Sequence, residues 1–256
     1  MDQKKRHFFE NRMHDLAIRG QKSGIPAYTD FLTTDEYSCL KQLAKEFYGI
    51  SLRFWGGHKD CDHVMGAFVP TEYEEFMNAA QFPICCLKIT PVGIKFSQQL
   101  QHRDYLGAIL NLGMERSKIG DIRICDKQAY VFCHLDFAPF LLDELRAIKH
   151  TTVQVSLVTE EEEIPPQEYE LLMRSVASLR LDNIITAAIG CSRSKASELI
   201  AQGNVVADHM EQHSSSYTCK DQIVFTIRGY GKYRLSAEDE SYTKKGKRKI
   251  IIYKYK

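Results

Sequence analysis

The chain has 256 residues, 44% of them hydrophobic and 26% charged, a composition typical of a soluble globular protein of one to three domains. No stretch approaches the roughly 20 consecutive apolar residues of a membrane span, and the charged start lacks the apolar run of a secretory signal. The eight cysteines form no CxxC pair, which predicts reduced thiols in the cytoplasm. The formal net charge is only +1, yet residues 178–256 hold 14 Lys/Arg against 8 Asp/Glu. Such a basic C-terminal module is typical of a protein that binds a polyanion.

Residues 1–82 predict an N-terminal α/β unit. The first twenty residues have a helical pattern, which the segment GIPAY breaks. Thr34 is predicted to cap a second helix with acidic residues in its first turn and Gly49 at its end. Two strand-like runs, SLRFW and HVMGAFVP, follow this helix.

Residues 83–160 predict a domain with the element order βαββαβ, the ferredoxin-like arrangement that RNA-recognition domains share. The Asp-Lys-Gln sequence at 126–128 predicts a hairpin in its middle. Tyr130 and Phe132 lie on one face of a predicted strand, where they could stack on RNA bases, although such aromatic residues more often belong to a core. The fold class hosts many functions and decides none of them.

Residues 161–177 are predicted to be a linker, because the run EEEIPPQEYE is acidic and contains a proline pair. Residues 178–256 follow as the C-terminal module. Two helices are predicted over RLDNIITAAIG and SRSKASELIAQG, and strands over NVVAD, YTCKD, QIVFTIRGYGKYRL and KRKIIIYKYK.

The start of the second helix of this module is the strongest candidate site. Ser192 is a suitable N-cap for a helix over 193–202, and Glu198 makes one face of that helix polar. The packing side is apolar and comprises Ala196, Leu199 and Ile200. The helix N-terminus therefore combines backbone N–H groups, the positive dipole end, a hydroxyl and the cations Arg193 and Lys195. This combination predicts a phosphate site, and the alternative is a capped surface helix with incidental basic residues.

No catalytic pattern accompanies this site. His58, Cys61 and His63 could supply three metal ligands, but the spacing does not match the separated ligand pairs of structural zinc sites and a fourth ligand is missing. Neither a nucleophile elbow nor paired catalytic carboxylates are recognisable. We therefore predict a protein that is not an enzyme, with no cofactor, metal site or small-molecule substrate.

Residues 179–228 resemble the S-four RNA-binding domain, a small α-L module first recognised in a small-subunit ribosomal protein. The resemblance lies in Arg-Leu-Asp at 180–182, Ser-Arg-Ser-Lys-Ala at 192–196 and the helix exit Leu-Ile…Gly-Asn-Val at 199–205. The motif's RNA-contacting positions fall on Arg180, Arg193 and Lys195, with Ser194 beside them. Because the two helices of an α-L module pack at their starts, these three cations are expected to converge on one patch. With the helix cap, the helix exit and the basic strands, the predicted RNA-binding residues are Arg180, Ser192, Arg193, Ser194, Lys195, Asn204, Arg228, Lys232 and Arg234.

The wider chain resembles the YlmH family. The segments that carry this likeness are HRDYLGAILNLGMERSKIGDI at 102–122, SLRLD at 178–182 and IRGYGKYRL at 227–235. The resemblance implies an α+β fold with an N-terminal α/β unit, an RRM-like middle domain and a C-terminal S-four domain. It also implies a cytoplasmic bacterial protein that binds large-subunit ribosomal RNA and tRNA. Its implied role is the handling of stalled large subunits that still carry peptidyl-tRNA.

Two alternatives stay open at this stage. One is an RNA-modifying enzyme that is targeted by its S-four domain, although the catalytic domain and cofactor turn of such enzymes are not evident in this chain. The other is a protein-interaction adaptor linked to cell division, which would use the acidic N-terminal body. The leading prediction is a monomer that binds RNA on the ribosome and has no membrane contact.

Overall fold

The computed structural model describes residues 3–93, 98–160, 164–166, 168–207, 210–237, 241–244 and 246–255. The chain is a mixed α+β protein divided into two compact units, residues 1–165 and 166–256. All strand pairs of the described sheets are antiparallel. None of the helices within the described ranges combines the length and the apolarity needed to cross a membrane.

The first part of the larger unit packs two helices on a small sheet. Its elements are α1 (Gln3–Ser23), β1 (Ala27–Phe31), α2 (Thr34–Leu43), β2 (Ile50–Trp55) and β3 (Met65–Pro70). Strand β3 lies between β1 and β2. The helices cover this sheet with apolar side chains, because α1 buries Phe9 and Met13 in one cluster with Leu40 of α2 and Phe68 of β3.

The boundaries of α2 differ from the prediction by one residue at the start and by several at the end. The N-cap is Thr33, whose hydroxyl accepts the Glu36 N–H while the Glu36 carboxylate accepts the Thr33 N–H. This capping box requires Glu or Gln three residues after the cap, a spacing that Thr33 has and Thr34 lacks. The helix ends at Leu43 and continues as a 3₁₀ turn, well before Gly49.

The second part of the larger unit contains a five-stranded sheet with two helices. Its elements are β4 (Ile84–Pro91), α3 (His102–Asn111), β5 (Ile119–Cys125), β6 (Gln128–His134), α4 (Ala138–Glu144), β7 (Ala147–Ile148) and β8 (Thr151–Val158). The strand order is β5-β6-β4-β8-β7. A turn of Asp126 and Lys127 joins β5 to β6, since Cys125 pairs with Gln128, so the predicted hairpin is present.

The smaller unit packs two helices against a six-stranded sheet. Its elements are β9 (Tyr169–Val176), α5 (Leu181–Ile189), α6 (Arg193–Ala201), β10 (Val205–Ala207), β11 (Met210–Glu211), β12 (Val224–Ile227), β13 (Gly231–Ser236) and β14 (Arg248–Tyr255). The strand order is β11-β10-β12-β13-β14-β9. Both helices lie on one face of this sheet, where Ile184 of α5 and Ile200 of α6 share a buried cluster with Phe225 and Leu235.

The segment predicted as a linker over 161–177 is partly a strand. Residues 169–176 form β9, which pairs with the last strand from Tyr169↔Tyr255 to Val176↔Arg248. The inward positions Leu172 and Val176 pack on the core of the smaller unit. Because an acidic run precedes β9, the composition of this segment is typical of a linker. Pairing with β14, at the C-terminal end of the module, stabilises residues 169–176 as a strand with alternating inward and outward side chains.

The segment YTCKD is not a strand. Within it, Thr218 makes an isolated bridge to Arg180, the residue just before α5. The Leu181 N–H donates to Tyr217 O at 2.8 Å and the Asp182 N–H donates to Ser215 O at 3.3 Å. The backbone of residues 215–217 therefore holds the first turn of α5, because its carbonyl oxygens accept N–H groups that a helix start leaves unpaired.

Candidate nucleic-acid interface

The N-terminus of α6 has the predicted cap. The Lys195 backbone N–H donates to Ser192 Oγ at 3.2 Å, and the helix spans Arg193–Ala201. Ala196, Leu199 and Ile200 are buried as predicted, whereas Ser192 and Ser194 are exposed. The apolar side of α6 thus fixes the helix against the sheet and leaves its positively polarised N-terminus at the surface.

Two arginines converge on one buried carboxylate beside this helix start. Arg180 donates from Nε to Asp182 Oδ1 at 3.2 Å and from Nη2 to Oδ2 at 3.0 Å. Arg193 donates from Nε and Nη2 to the same Oδ2 at 3.0 and 2.9 Å. The Asp182 side chain is 2% exposed, while those of Arg180 and Arg193 are 40% and 60% exposed. We call these three residues the arginine clamp.

The charges of the arginine clamp are coupled. Burial by itself would raise the pKa of the Asp182 carboxyl, but hydrogen bonds from Arg180 and Arg193 outweigh burial and hold that pKa below its usual value. The Asp182 hydrogen bond in turn raises the pKa of the Arg180 guanidinium. Asp182 is therefore ionised at neutral pH, and the arginine clamp carries a net positive charge.

The clamp also sets the direction of both guanidinium groups. Each arginine uses Nε and one terminal nitrogen on Asp182. The remaining N–H donors of each planar group then point along fixed directions at the surface. An anion that meets two oriented guanidinium groups binds without the entropy cost of ordering two long side chains. The clamp can therefore hold a phosphate beside the N-terminus of α6.

Lys195 does not join the clamp. Its ammonium lies 3.0 Å from Glu198 Oε2, one turn further along α6. This ion pair lowers the pKa of the Glu198 carboxyl through the Lys195 hydrogen bond. Sequence reasoning predicts that Arg180, Arg193 and Lys195 converge on one patch, whereas in the structure only the two arginines meet, because Glu198 lies within reach of Lys195 on the same helix face.

The predicted residues after α6 divide into two groups. Asn204 and Arg228 are neighbours, since the Arg228 N–H donates to Asn204 O at 2.9 Å, and the Arg228 side chain is exposed. Lys232 and Arg234 lie on the sheet face opposite the helices, because the alternating Tyr233 and Leu235 are the β13 residues that enter the core. The structure therefore does not bring Lys232 and Arg234 to the start of α6.

Sequence reasoning missed the residue that organises the site. This residue is Asp182, which lies two residues after the predicted contact Arg180. Asp182 orients two arginines only because Arg193, eleven residues further along the chain, also binds it. The sequence does show an acidic residue in the first turn of α5. By itself, however, such a residue indicates only a favourable interaction with the helix dipole.

The sheet of the larger unit does not offer Tyr130 and Phe132 as a stacking surface. The two side chains are 3% and 1% exposed. They share a buried cluster with Ile164 and, at its margin, Cys61. The prediction that these aromatic residues more often belong to a core is therefore confirmed. Segments before and after this strand, among them Cys61 and Ile164, cover that face of the sheet.

The loop with His58, Cys61 and His63 is held by side chains of the larger unit. His58 Nδ1 accepts hydrogen bonds from Asp60 N and Arg123 Nη2, both at 3.2 Å. His63 Nδ1 lies 2.5 Å from Asp121 Oδ1. Burial raises the pKa of the Cys61 thiol, which disfavours the thiolate that a metal needs. In the described part of the chain, no group of three or more His, Cys, Asp or Glu residues could hold a metal ion.

Two comparisons with known proteins match this chain in sequence. A family model described as "Putative RNA-binding domain in YlmH" matches residues 78–162. The "Ribosome-associated protein quality control protein P2" of Bacillus subtilis (strain 168) is 24% identical over 232 residues, which cover 89% of this chain and 87% of that protein.

A solved structure shares the fold. The "Cell division protein ylmH from Streptococcus pneumoniae" superposes with a TM-score of 0.54 at 22% identity, over 64% of this chain and 98% of that one. The matched family model, the relative in Bacillus subtilis and this fold agree with one another. Residues 78–162 therefore correspond to the RNA-binding domain described in YlmH, and the similarity to the relative in Bacillus subtilis extends over most of the chain.

Proposed function

We propose that this chain is a non-catalytic, cytoplasmic RNA-binding protein that associates with the ribosome as a monomer. Its partners would be large-subunit ribosomal RNA and tRNA, and its role the quality control of stalled large subunits that carry peptidyl-tRNA. The family model's description as RNA-binding and the name of the relative in Bacillus subtilis support this proposal.

We also propose the finer domain assignment. Residues 83–160 would be an RRM-like domain, a proposal supported by the strand order β5-β6-β4-β8 with two helices. Residues 178–256 would be an S-four domain, supported by the adjacent helices α5 and α6 on one face of an antiparallel sheet. Residues 1–82 would form the third domain, whose sheet is separate from the five-stranded one.

The arginine clamp is the observation that carries the proposal. Two exposed guanidinium groups, oriented by one buried carboxylate, lie beside a helix N-terminus in the basic part of the chain. Double-stranded RNA is recognised mostly through its phosphates and its shape, and oriented arginines suit that task. Lys195, Asn204 and Arg228 would extend the contact, with phosphate neutralisation supplying most of the affinity.

Sedimentation with ribosomes tests this function. The full chain should migrate with large subunits in a sucrose gradient and should move to the top after ribonuclease treatment. Arg193→Ala should reduce the co-sedimenting fraction, and binding should weaken steeply as salt rises, because counterions are released from each neutralised phosphate. The matched control is Lys247→Ala, which removes an exposed cation from a turn of the same unit.

Co-sedimentation that survives ribonuclease would contradict the proposal, as would an equal loss for Arg193→Ala and Lys247→Ala. The first result would indicate a protein-mediated association. The second would indicate that the overall charge of the module matters and the clamp does not.

A further inference from the structure

The sheet of the smaller unit has a second face, opposite α5 and α6, that the proposed function leaves unused. Side chains alternate along each strand, so the residues that flank the core positions point to this outer face. On the last three strands in the sheet order, the outward positions are Lys232, Arg234 and Ser236 of β13, Lys249, Ile251, Tyr253 and Tyr255 of β14, and Tyr169, Leu171, Met173 and Ser175 of β9.

Aromatic rings and cations interleave on this face. The Tyr169 ring contacts Tyr255 edge to face at a centroid distance of 5.0 Å and Tyr253 at 5.5 Å. Lys232 Nζ lies 4.0 Å from the centroid of Tyr255. The Arg234 guanidinium carbon (Cζ) lies 4.9 Å from the ring centroid of Tyr169 and 4.8 Å from that of Tyr253. We call these five residues the tyrosine face.

The charge of the tyrosine face differs from that of the arginine clamp. None of the outward positions of β9, β13 and β14 named above is Asp or Glu. Arg234 is oriented by rings, and its buried Nε makes no hydrogen bond within the described part of the chain. At the clamp, by contrast, a carboxylate offsets one of two arginine charges. The Arg234 guanidinium, held by aromatic rings, therefore keeps its positive charge available to an anion at the tyrosine face.

The margin of this face is apolar and open. Leu171 and Met173 on β9 are 58% and 75% exposed. A surface that combines cations, aromatic rings and exposed apolar side chains matches the two parts of a nucleotide, an anionic phosphate and a flat base with an apolar face. A purely apolar partner would desolvate the Arg234 guanidinium without offering it a hydrogen-bond acceptor, which is costly.

We propose that the tyrosine face binds unpaired nucleotides of an RNA strand. Bases would stack against the tyrosine rings and the apolar margin, and Arg234 and Lys232 would contact the phosphates. Stacking of this kind tolerates any base sequence, because every base has a flat π face. This inference rests on the proposed function, since it assigns unpaired RNA to the outer face and leaves phosphates of structured RNA to the arginine clamp.

Two RNA probes and matched variants of the full chain test the inference. Fluorescence anisotropy would measure binding of a labelled ten-nucleotide oligouridine and of a labelled hairpin without single-stranded ends. Tyr253→Leu should weaken oligouridine binding about fivefold or more, whereas Tyr253→Phe, which keeps the ring, should bind like the wild type. Arg234→Gln should weaken it as well, and Lys22→Gln, an equal charge change on α1, should not.

Hairpin binding separates this inference from the proposed function. Tyr253→Leu should leave hairpin affinity unchanged, and Arg193→Ala should lower it. If oligouridine binds wild type and Tyr253→Leu equally while Arg193→Ala still weakens the hairpin, the tyrosine face is not an RNA site and the proposed function stands. A wild-type chain that binds the hairpin but no oligouridine would overturn the inference too and would favour a protein partner on that face. If Tyr253→Leu lowers the thermal unfolding midpoint, its loss of binding can come from unfolding, and oligouridine binding by Arg234→Gln then tests the inference. Weaker binding by Arg234→Gln would support the inference, and unchanged binding would overturn it.

Discussion

Arg193, in the first turn of α6, donates two hydrogen bonds to Oδ2 of Asp182, in the first turn of α5. The side chain of Asp182 is 2% exposed and that of Arg193 is 60% exposed, so a buried anion holds a surface cation. This contact fixes the start of one helix to the start of the other. Its consequences for stability and for binding can be measured separately.

The first prediction concerns Asp182→Asn. The substitution makes the chain more positive, so a simple charge argument would predict tighter RNA binding. We expect weaker binding by about fivefold, near 1 kcal/mol, because an amide offers one acceptor oxygen where the carboxylate offers two and can no longer orient both guanidinium groups. The free energy of unfolding should fall by about 1 to 3 kcal/mol through the lost charge-assisted hydrogen bonds. Hairpin titration and urea unfolding would measure both, with the exposed Asp143→Asn as the charge-matched control. Tighter binding by Asp182→Asn would refute the orienting role.

The second prediction is a pH dependence. Hydrogen bonds from the two arginines depress the pKa of Asp182 in the folded state, against the raising effect of burial. A depressed folded pKa stabilises the protein above the unfolded pKa of about 3.9, and that stabilisation disappears as the pH falls through the folded value. The stability difference between wild type and Asp182→Asn should therefore be constant from about pH 5 to 7 and shrink below about pH 4. Urea unfolding at several pH values checks this, and a difference that grows toward acid would contradict it.

The third prediction compares the two cations of α6. Lys195 and Glu198 are both about half exposed, so Lys195→Ala should change the free energy of unfolding by less than about 1 kcal/mol. It should still weaken RNA binding and reduce the salt slope by about one. Arg193→Ala leaves Asp182 paired with Arg180 and should therefore fold, with a somewhat larger stability cost of about 1 kcal/mol. Thermal melts and titrations at several salt concentrations would test this pair. A variant that melts well below wild type yet binds RNA normally would show that its residue is structural.

The fourth prediction is that Arg180→Lys will not be conservative. The Arg180 guanidinium bridges both oxygens of Asp182, and a lysine ammonium cannot reproduce that planar two-point contact. We expect hairpin affinity to fall although the charge is unchanged. Arg19→Lys, on the exposed side of α1, provides the same chemical change away from the clamp. Equal affinities for the two variants would mean that only the charge at position 180 matters.

The fifth prediction concerns Phe132 in the larger unit. Because its ring is 1% exposed beneath the chain's own residues, Phe132→Leu should cost about 1 kcal/mol of stability and leave RNA affinity unchanged. A ring that stacked on a base would instead lose binding energy on this change. Affinity and unfolding measurements on the same preparation decide between the two roles.

Local features of the sequence are sufficient to predict the helix cap at Ser192, the apolar side of α6, and the hairpin at Asp126 and Lys127. These features depend on residues within a few positions of one another, where capping and periodicity act. Residue type alone favours Thr34 as the cap of α2, but the cap is Thr33, because only Thr33 has a glutamate three residues later to complete a capping box.

The charge imbalance of the C-terminal module and its family resemblance are also readable from the chain itself. They predict that the C-terminal module binds RNA, but they leave the arrangement of the site open. The position of a Lys or Arg along the chain does not reveal which carboxylate its side chain will pair with. Lys195 has a partner three residues away, whereas Arg193 uses one eleven residues away.

Only the tertiary structure decided the contacts that join distant segments. Packing of α5 against α6 brings Arg193 to Asp182, and pairing of β9 with β14 turns part of an apparent linker into a strand. The same pairing places Tyr169 beside Tyr253 and Tyr255, and other parts of the chain cover the five-stranded sheet and bury Tyr130 and Phe132. Such contacts follow from burial of apolar area and strand register, which depend on the whole chain, whereas local propensity acts only between near neighbours.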